Sequence, residues 1–215
     1  MSTKTSGQIH VATHAVYKTI LVLAMAVSAI LMVSLTVPSS GTASDQPYSI
    51  TALADAGLRD QHGNKITARS LEDRLVLVNF FFTHCGDTCP IQTAVIRDVQ
   101  AALDLKNDDP LLLSVSIAPL SDTDAAIREY IDKFQLSETN WKFVKTNPED
   151  TAKLVDNFAV TAAEFDQDNG ITNHRNMGFL FGRDGRMMQQ YQLTPNMVKR
   201  LSREITALQR WSYSG

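Results

Sequence analysis

The longest almost wholly apolar run lies near the N-terminus. Ile20 to Val37 reads ILVLAMAVSAILMVSLTV, and no charge occurs between Thr19 and Ser44. Eighteen helical residues reach about 27 Å, close to the ~30 Å hydrocarbon core of a bilayer once flanks are counted. Lys4 and Lys18 precede the run and Asp45 is the first charge after it. Basic residues stay on the cytoplasmic side, so the remainder is expected across the membrane. A cleaved signal peptide has a shorter apolar core, about 7–15 residues. An uncleaved anchor is therefore preferred, with cleavage near Gly41-Thr42-Ala43 as the alternative. No arginine precedes Arg59, which argues against an Arg-rich mitochondrial presequence. The chain is read as a cytoplasmic tail (1–18), a transmembrane anchor (19–37), a linker (38–47) and one folded domain (48–215). The expected setting is a bacterial inner membrane, with the domain in the periplasm.

Beyond the linker the pattern alternates between two periods. Leu75–Phe82 (LVLVNFFF) is continuous and rich in β-formers, as in a strand buried on both faces. A helix is expected from about Thr88, with Ile91, Ala94, Val95, Val99, Ala102 and Leu103 at helical spacing and Pro90 in its first turn. Asp108-Asp109-Pro110 ends that segment. Leu111–Ile117 reads as a second buried strand. Ser121-Asp122-Thr123 then offers a cap for a helix with Ile127, Tyr130, Ile131 and Phe134 on one face. Trp141–Lys145 is a short strand. Asn147-Pro148-Glu149-Asp150 starts a helix carrying Leu154, Val155 and Phe158. A polar stretch, Thr161–Asn176, interrupts the pattern. Met177–Phe181 and Met187–Tyr191 flank Arg183-Asp184-Gly185, a hairpin signal. A last helix follows Thr194-Pro195, with Val198, Leu201, Ile205 and Leu208 as its stripe. This alternation predicts an α/β domain of thioredoxin-like layout, a central mixed sheet with helices on both faces.

Composition changes little in this picture. The 215 residues are 44% hydrophobic and 20% charged, enough for an ordinary core. Net charge is −3 and the basic residues are scattered, so nucleic acid is a poor partner.

Two cysteines, Cys85 and Cys89, are the only ones in the chain. They cannot form a multi-disulfide framework; they read as a redox couple, half a metal site, or a small disulfide loop. They fall where a buried strand ends and a helix begins, the place where ligands collect in open α/β sheets. The helix N-terminus stabilises thiolates there. Two thiolates favour soft ions such as Cu(I) or zinc. A structural zinc site wants four ligands and no further cysteine exists, whereas two sulfurs and one imidazole suit copper. Of five histidines, His10 and His14 precede the apolar run and His62 sits in a turn. His84 adjoins Cys85, but neighbours leaving a strand point to opposite faces. His174 lies in the long polar stretch, where a solvated loop residue is the plain reading.

Phe82-Thr83-His84-Cys85-Gly86-Asp87-Thr88-Cys89-Pro90 resembles the signature of the Sco/SenC family. Three other segments are similar to that family: Leu58–Lys65, Ser114–Pro119 with Asp122-Thr123, and His174 followed by an apolar strand and Arg183-Asp184-Gly185. The likeness runs over about residues 50–210. It implies one copper ion held by Cys85, Cys89 and His174, with Asp87 as a supporting or partner-facing residue. It also implies delivery of copper to the binuclear copper centre of cytochrome c oxidase during assembly, with the copper-bearing subunit or another periplasmic copper protein as partner. Some members are thought to act instead as thiol–disulfide reductants on partner proteins; Cys85 would then attack and Cys89 resolve. Ala118 and Gly86 depart from the family pattern, which often has Asp and Pro there. Met177 is a further soft atom near His174, and otherwise a core methionine. A peroxiredoxin-type peroxidase lacks support, because no proline stands at the required spacing before Cys85.

Overall fold

The computed structural model describes residues 48, 50–85, 88–103, 109–160, 163–166, 170–173 and 176–211; of Thr88, residues 163–166 and 170–173, and Trp211, only the backbone is described. All belong to Ala43–Gly215, the second of two units of the chain. The tail, the anchor, the linker, Asp87 and His174 lie outside the described residues. Among the described residues no helix is long and apolar enough to cross a membrane.

The elements in chain order are α1 (Ile50–Asp55), α2 (Ala68–Leu71), β1 (Val76–Phe81), α3 (Thr88–Ala101), β2 (Leu111–Ser116), α4 (Asp124–Phe134), β3 (Trp141–Val144) and α5 (Pro148–Asn157). They continue with β4 (Ala163–Asp166), β5 (Gly170–Asn173), β6 (Met177–Phe181), β7 (Met187–Gln192), a 3-10 turn (Pro195–Met197) and α6 (Val198–Trp211). The main sheet has the order β3-β2-β1-β6-β7. β1, β2 and β3 are parallel neighbours, and β6 and β7 run antiparallel. The continuous apolar runs of β1 and β2 become the two central strands, with every residue buried.

Alternation along β1 sends Phe80 and Phe81 to opposite faces. Phe80 meets Phe158, at the end of α5, and Phe179 of β6, with centroids 5.1 and 6.2 Å away. Phe81 meets Tyr130 of α4 and Phe143 of β3 at 5.5 and 5.4 Å. Each fully buried ring contributes about 1.5–3 kcal/mol, so one strand residue per face anchors each layer. A Thr93–Tyr130 hydroxyl contact of 2.6 Å links α3 to α4, and α6 packs on α3. These three helices cover the Phe81 face; α5, with α1 beside it, covers the other.

The β6–β7 turn is closed by Gly185 at φ +73°. A side chain there would also meet Ile50 Cγ2 at 2.8 Å from its Cβ, so glycine is required. The segment expected to be irregular, Thr161–Asn176, contains a separate two-stranded antiparallel pair, β4 and β5. Its alternation of apolar and polar residues is too short to stand out from a polar stretch.

Candidate thiol and metal site at the end of the central strands

β1 delivers Phe82 to Cys85 beyond its carboxyl end, and α3 begins at Thr88. The Cys85 amide donates to the Phe82 carbonyl at 3.3 Å, forming a tight turn. The Cys89 amide donates to Cys85 Sγ at 3.3 Å. An N–H of the first helical turn thus points at the Cys85 sulfur, a geometry that stabilises a thiolate. Cys85 is half-buried and Cys89 is fully buried. The Cys89 thiol is held well above its ordinary range. Its hydrogen bond to Cys85 is the largest cause, followed by burial, the charge of Cys85 and that of Asp122. The pair is therefore asymmetric, with an accessible sulfur that an amide supports and a deep sulfur that keeps its proton.

The phase of α3 follows Cys89. Gln92, Thr93, Val95, Ile96, Val99 and Gln100 face inward, whereas Ile91 is exposed. The expected stripe included Ile91; burial of Cys89 rotates it out and turns Gln92 and Thr93 in. Gln92 Nε2 donates to the Phe80 carbonyl at 2.6 Å while its Oε1 stays buried without a hydrogen-bond partner among the described residues, and Thr93 pairs with Tyr130. Burial pushes the Tyr130 phenol up, with the Thr93 hydrogen bond opposing and the charges of both cysteines and Asp122 reinforcing.

Asp122 is a site residue that the sequence reading assigned to a helix cap. The cap of α4 is Thr123, whose hydroxyl accepts the Ala126 amide. Asp122 instead turns inward and is fully buried. Its Oδ1 accepts the Thr83 amide at 2.9 Å and the Thr83 hydroxyl at 2.7 Å, and its Oδ2 accepts Ser116 Oγ at 2.5 Å. The Thr83 hydroxyl proton goes to the carboxylate, so the 3.0 Å contact with His84 is donated by His84 Nδ1. His84 is exposed. Two adjacent cap-type residues, Asp122 and Thr123, were the available signal: a helix uses one, leaving the other for a second task.

Among the described residues no three His, Cys, Asp or Glu side chains form a metal-holding group. Two sulfurs therefore need a ligand from elsewhere. His174 falls between Asn173, the end of β5, and Met177, the start of β6. β6 pairs antiparallel with β1, Asn79 opposite Gly178, so the chain enters β6 beside the carboxyl half of β1. Met177 is partly buried against the core. His62, read as a turn residue, sits in a turn and contacts Glu138 at 2.6 Å. Two surface concavities, of about 280 and 460 Å³, share Arg183 and Asp184 at the opposite end of the sheet.

A family model described as SCO1/SenC matches residues 52–208. The SCO1 protein homolog of Bacillus subtilis is 26% identical over 135 residues, covering 62% of this chain and 69% of that protein. The copper-bound structure of Bradyrhizobium japonicum ScoI is 28% identical with a TM-score of 0.58, covering 71% of this chain and 94% of that one. BsSco, a member of the Sco family of cytochrome c oxidase assembly proteins with an identified disulfide switch, shares the fold. It is 22% identical with a TM-score of 0.61, covering 70% of this chain and 89% of that one.

Proposed function

Because the chain belongs to the SCO1/SenC family, we propose that it is a copper-handling protein whose Cys85, Cys89 and His174 hold one copper ion for delivery. The destination we infer is the binuclear copper centre of cytochrome c oxidase during assembly. The observation that carries this reading is the paired sulfurs at the end of β1, one half-buried and one deep, with the Cys89 amide 3.3 Å from Cys85 Sγ. Soft thiolates and an imidazole are the donor set that copper prefers. Copper bound to the 28% identical Bradyrhizobium ScoI supports the same cargo here. Asp87, between the cysteines, is assigned to the partner-facing rim. The Ile20–Val37 run is assigned to a membrane anchor that places the domain in the bacterial periplasm.

Binding proceeds from the accessible side. Cys85 makes the first sulfur contact, Cys89 gives up its proton to the solvent, and His174 closes the set. Loss of the imidazole frees a coordination position for a partner's ligand. A thiol–disulfide reductase built on the same pair would need no third ligand, and this separates the two readings. Titration of the full-length, reduced protein in detergent should show one copper per chain. His174→Ala should lower affinity roughly 100-fold, about 2.7 kcal/mol; Cys85→Ser and Cys89→Ser should abolish the sulfur-to-copper charge-transfer bands. A reduced protein that ignores copper would sink the proposal.

A further inference from the structure

A buried carboxylate normally has a cation or a metal beside it. Asp122 does not follow that rule. Among the described residues, the donors reaching its two oxygens are the Thr83 amide, the Thr83 hydroxyl and the Ser116 hydroxyl, all neutral. The ammonium beside it, Lys145 Nζ, donates to the backbone carbonyl of Asp122 at 3.1 Å and is ion-paired with Asp124 Oδ1 at 2.7 Å. That positive charge is already balanced. Asp122 thus carries a buried negative charge held by dipoles alone.

A neutral side chain would fasten the loop equally well. Asparagine has the same shape; its oxygen accepts from Thr83 and its amide can donate to Ser116 Oγ. Retaining a charge instead implies a task for the charge. Thr83 leads into Cys85, and Asp122 is among the groups whose charge acts on both Cys89 and Tyr130. Its field therefore reaches the deeper sulfur, Cys89.

We propose that Asp122 is a positioning residue of the copper site: its hydrogen bonds fix the Thr83–Cys85 segment, and its buried charge biases bound copper towards Cu(II). This rests on the copper reading of Cys85 and Cys89. Cu(II) carries one more positive charge than Cu(I), and a fixed anion in a poorly solvated interior favours the more positive ion. The same anchorage extends through the Thr83 hydroxyl to His84 Nδ1, so the residue preceding Cys85 is held as well.

The experiment uses the full-length protein and two substitutions that separate charge from position. Asp122→Asn keeps the shape and removes the charge. Thr83→Val keeps the charge and removes the hydroxyl bridge. Affinities for Cu(II) and Cu(I) are measured separately by competition with chelators of known affinity, and folding is checked by circular dichroism. Asp122→Asn should lower the Cu(II)-to-Cu(I) affinity ratio about tenfold, equivalent to raising the one-electron potential by about 59 mV. Thr83→Val should weaken both ions together and leave the ratio within about twofold. An unchanged ratio in folded Asp122→Asn overturns the proposal. If Asp122→Asn does not fold, Thr83→Val decides: a joint loss supports the positioning role and wild-type affinities overturn it. A wild-type protein that binds neither ion overturns the copper reading itself, and this proposal with it.

Discussion

At the scale of single residues, the two cysteines are chemically unequal although four positions apart. Cys89 is buried and hydrogen-bonded to Cys85, and both effects hold its thiol above the ordinary range. In the unfolded chain the same thiol ionises near 8.5. Below that pH both states are protonated and folding gains or loses nothing from the group. Above it the unfolded state binds fewer protons than the native state, so stability falls as pH rises. The reduced, metal-free protein should lose up to about 1.4 kcal/mol per pH unit above pH 8.5, read by urea unfolding. Between pH 8.5 and about 10 Cys89→Ala should be flat; above that the raised Tyr130 and Tyr191 phenols act with the same sign. A flat wild-type profile between pH 8.5 and 10 would contradict the burial of Cys89. The cysteines were legible in the sequence because only two occur; the inward turn of Asp122 was not, because it is set by Thr83, 39 positions away along the chain, together with Ser116.

At the scale of elements, capping and phase decide which side chains reach the site. Thr123 caps α4, which carries Tyr130 against Phe81. Thr123→Ala should cost about 1 kcal/mol of stability in thermal or urea unfolding, with copper affinity unchanged. No measurable loss would show that the α4 start is held by other contacts. The central strands were readable because residues buried on both faces leave continuous apolar runs. The hairpin at Arg183-Asp184-Gly185 was readable because its turn needs glycine. The inward turn of Gln92 and Thr93 was hidden: their partners, the Phe80 carbonyl and Tyr130, come from other elements. The β4–β5 pair was hidden because its pairing is local and backbone-made.

At the scale of the whole molecule, the sheet divides its tasks between two ends. The cysteines, Asp122 and the entry to β6 share one end. At the other, Arg183 pairs with buried Asp109 at 2.5 Å and donates to the Asp73 carbonyl at 2.6 Å. Asp109 also accepts the Leu75 amide at 2.9 Å, and its carbonyl accepts Gln209 Nε2 at 2.6 Å. The start of β1 is thereby tied to the hairpin and to α6. The mixed sheet followed from the order of strand and helix patterns, since parallel neighbours require crossovers. The proposed anchor predicts that the full-length chain sediments with membranes, resists carbonate extraction and is degraded by protease added outside spheroplasts. A soluble product starting near residue 44 would replace the anchor with a cleaved leader.

The unequal depth of the two sulfurs dictates an order of departure. A visiting protein can touch only the outer sulfur, so once the imidazole has let go the sulfurs are exchanged from there, and the inner sulfur is the last grip to let go. Loading and unloading would then both begin at the same sulfur, through a single doorway at the end of β1.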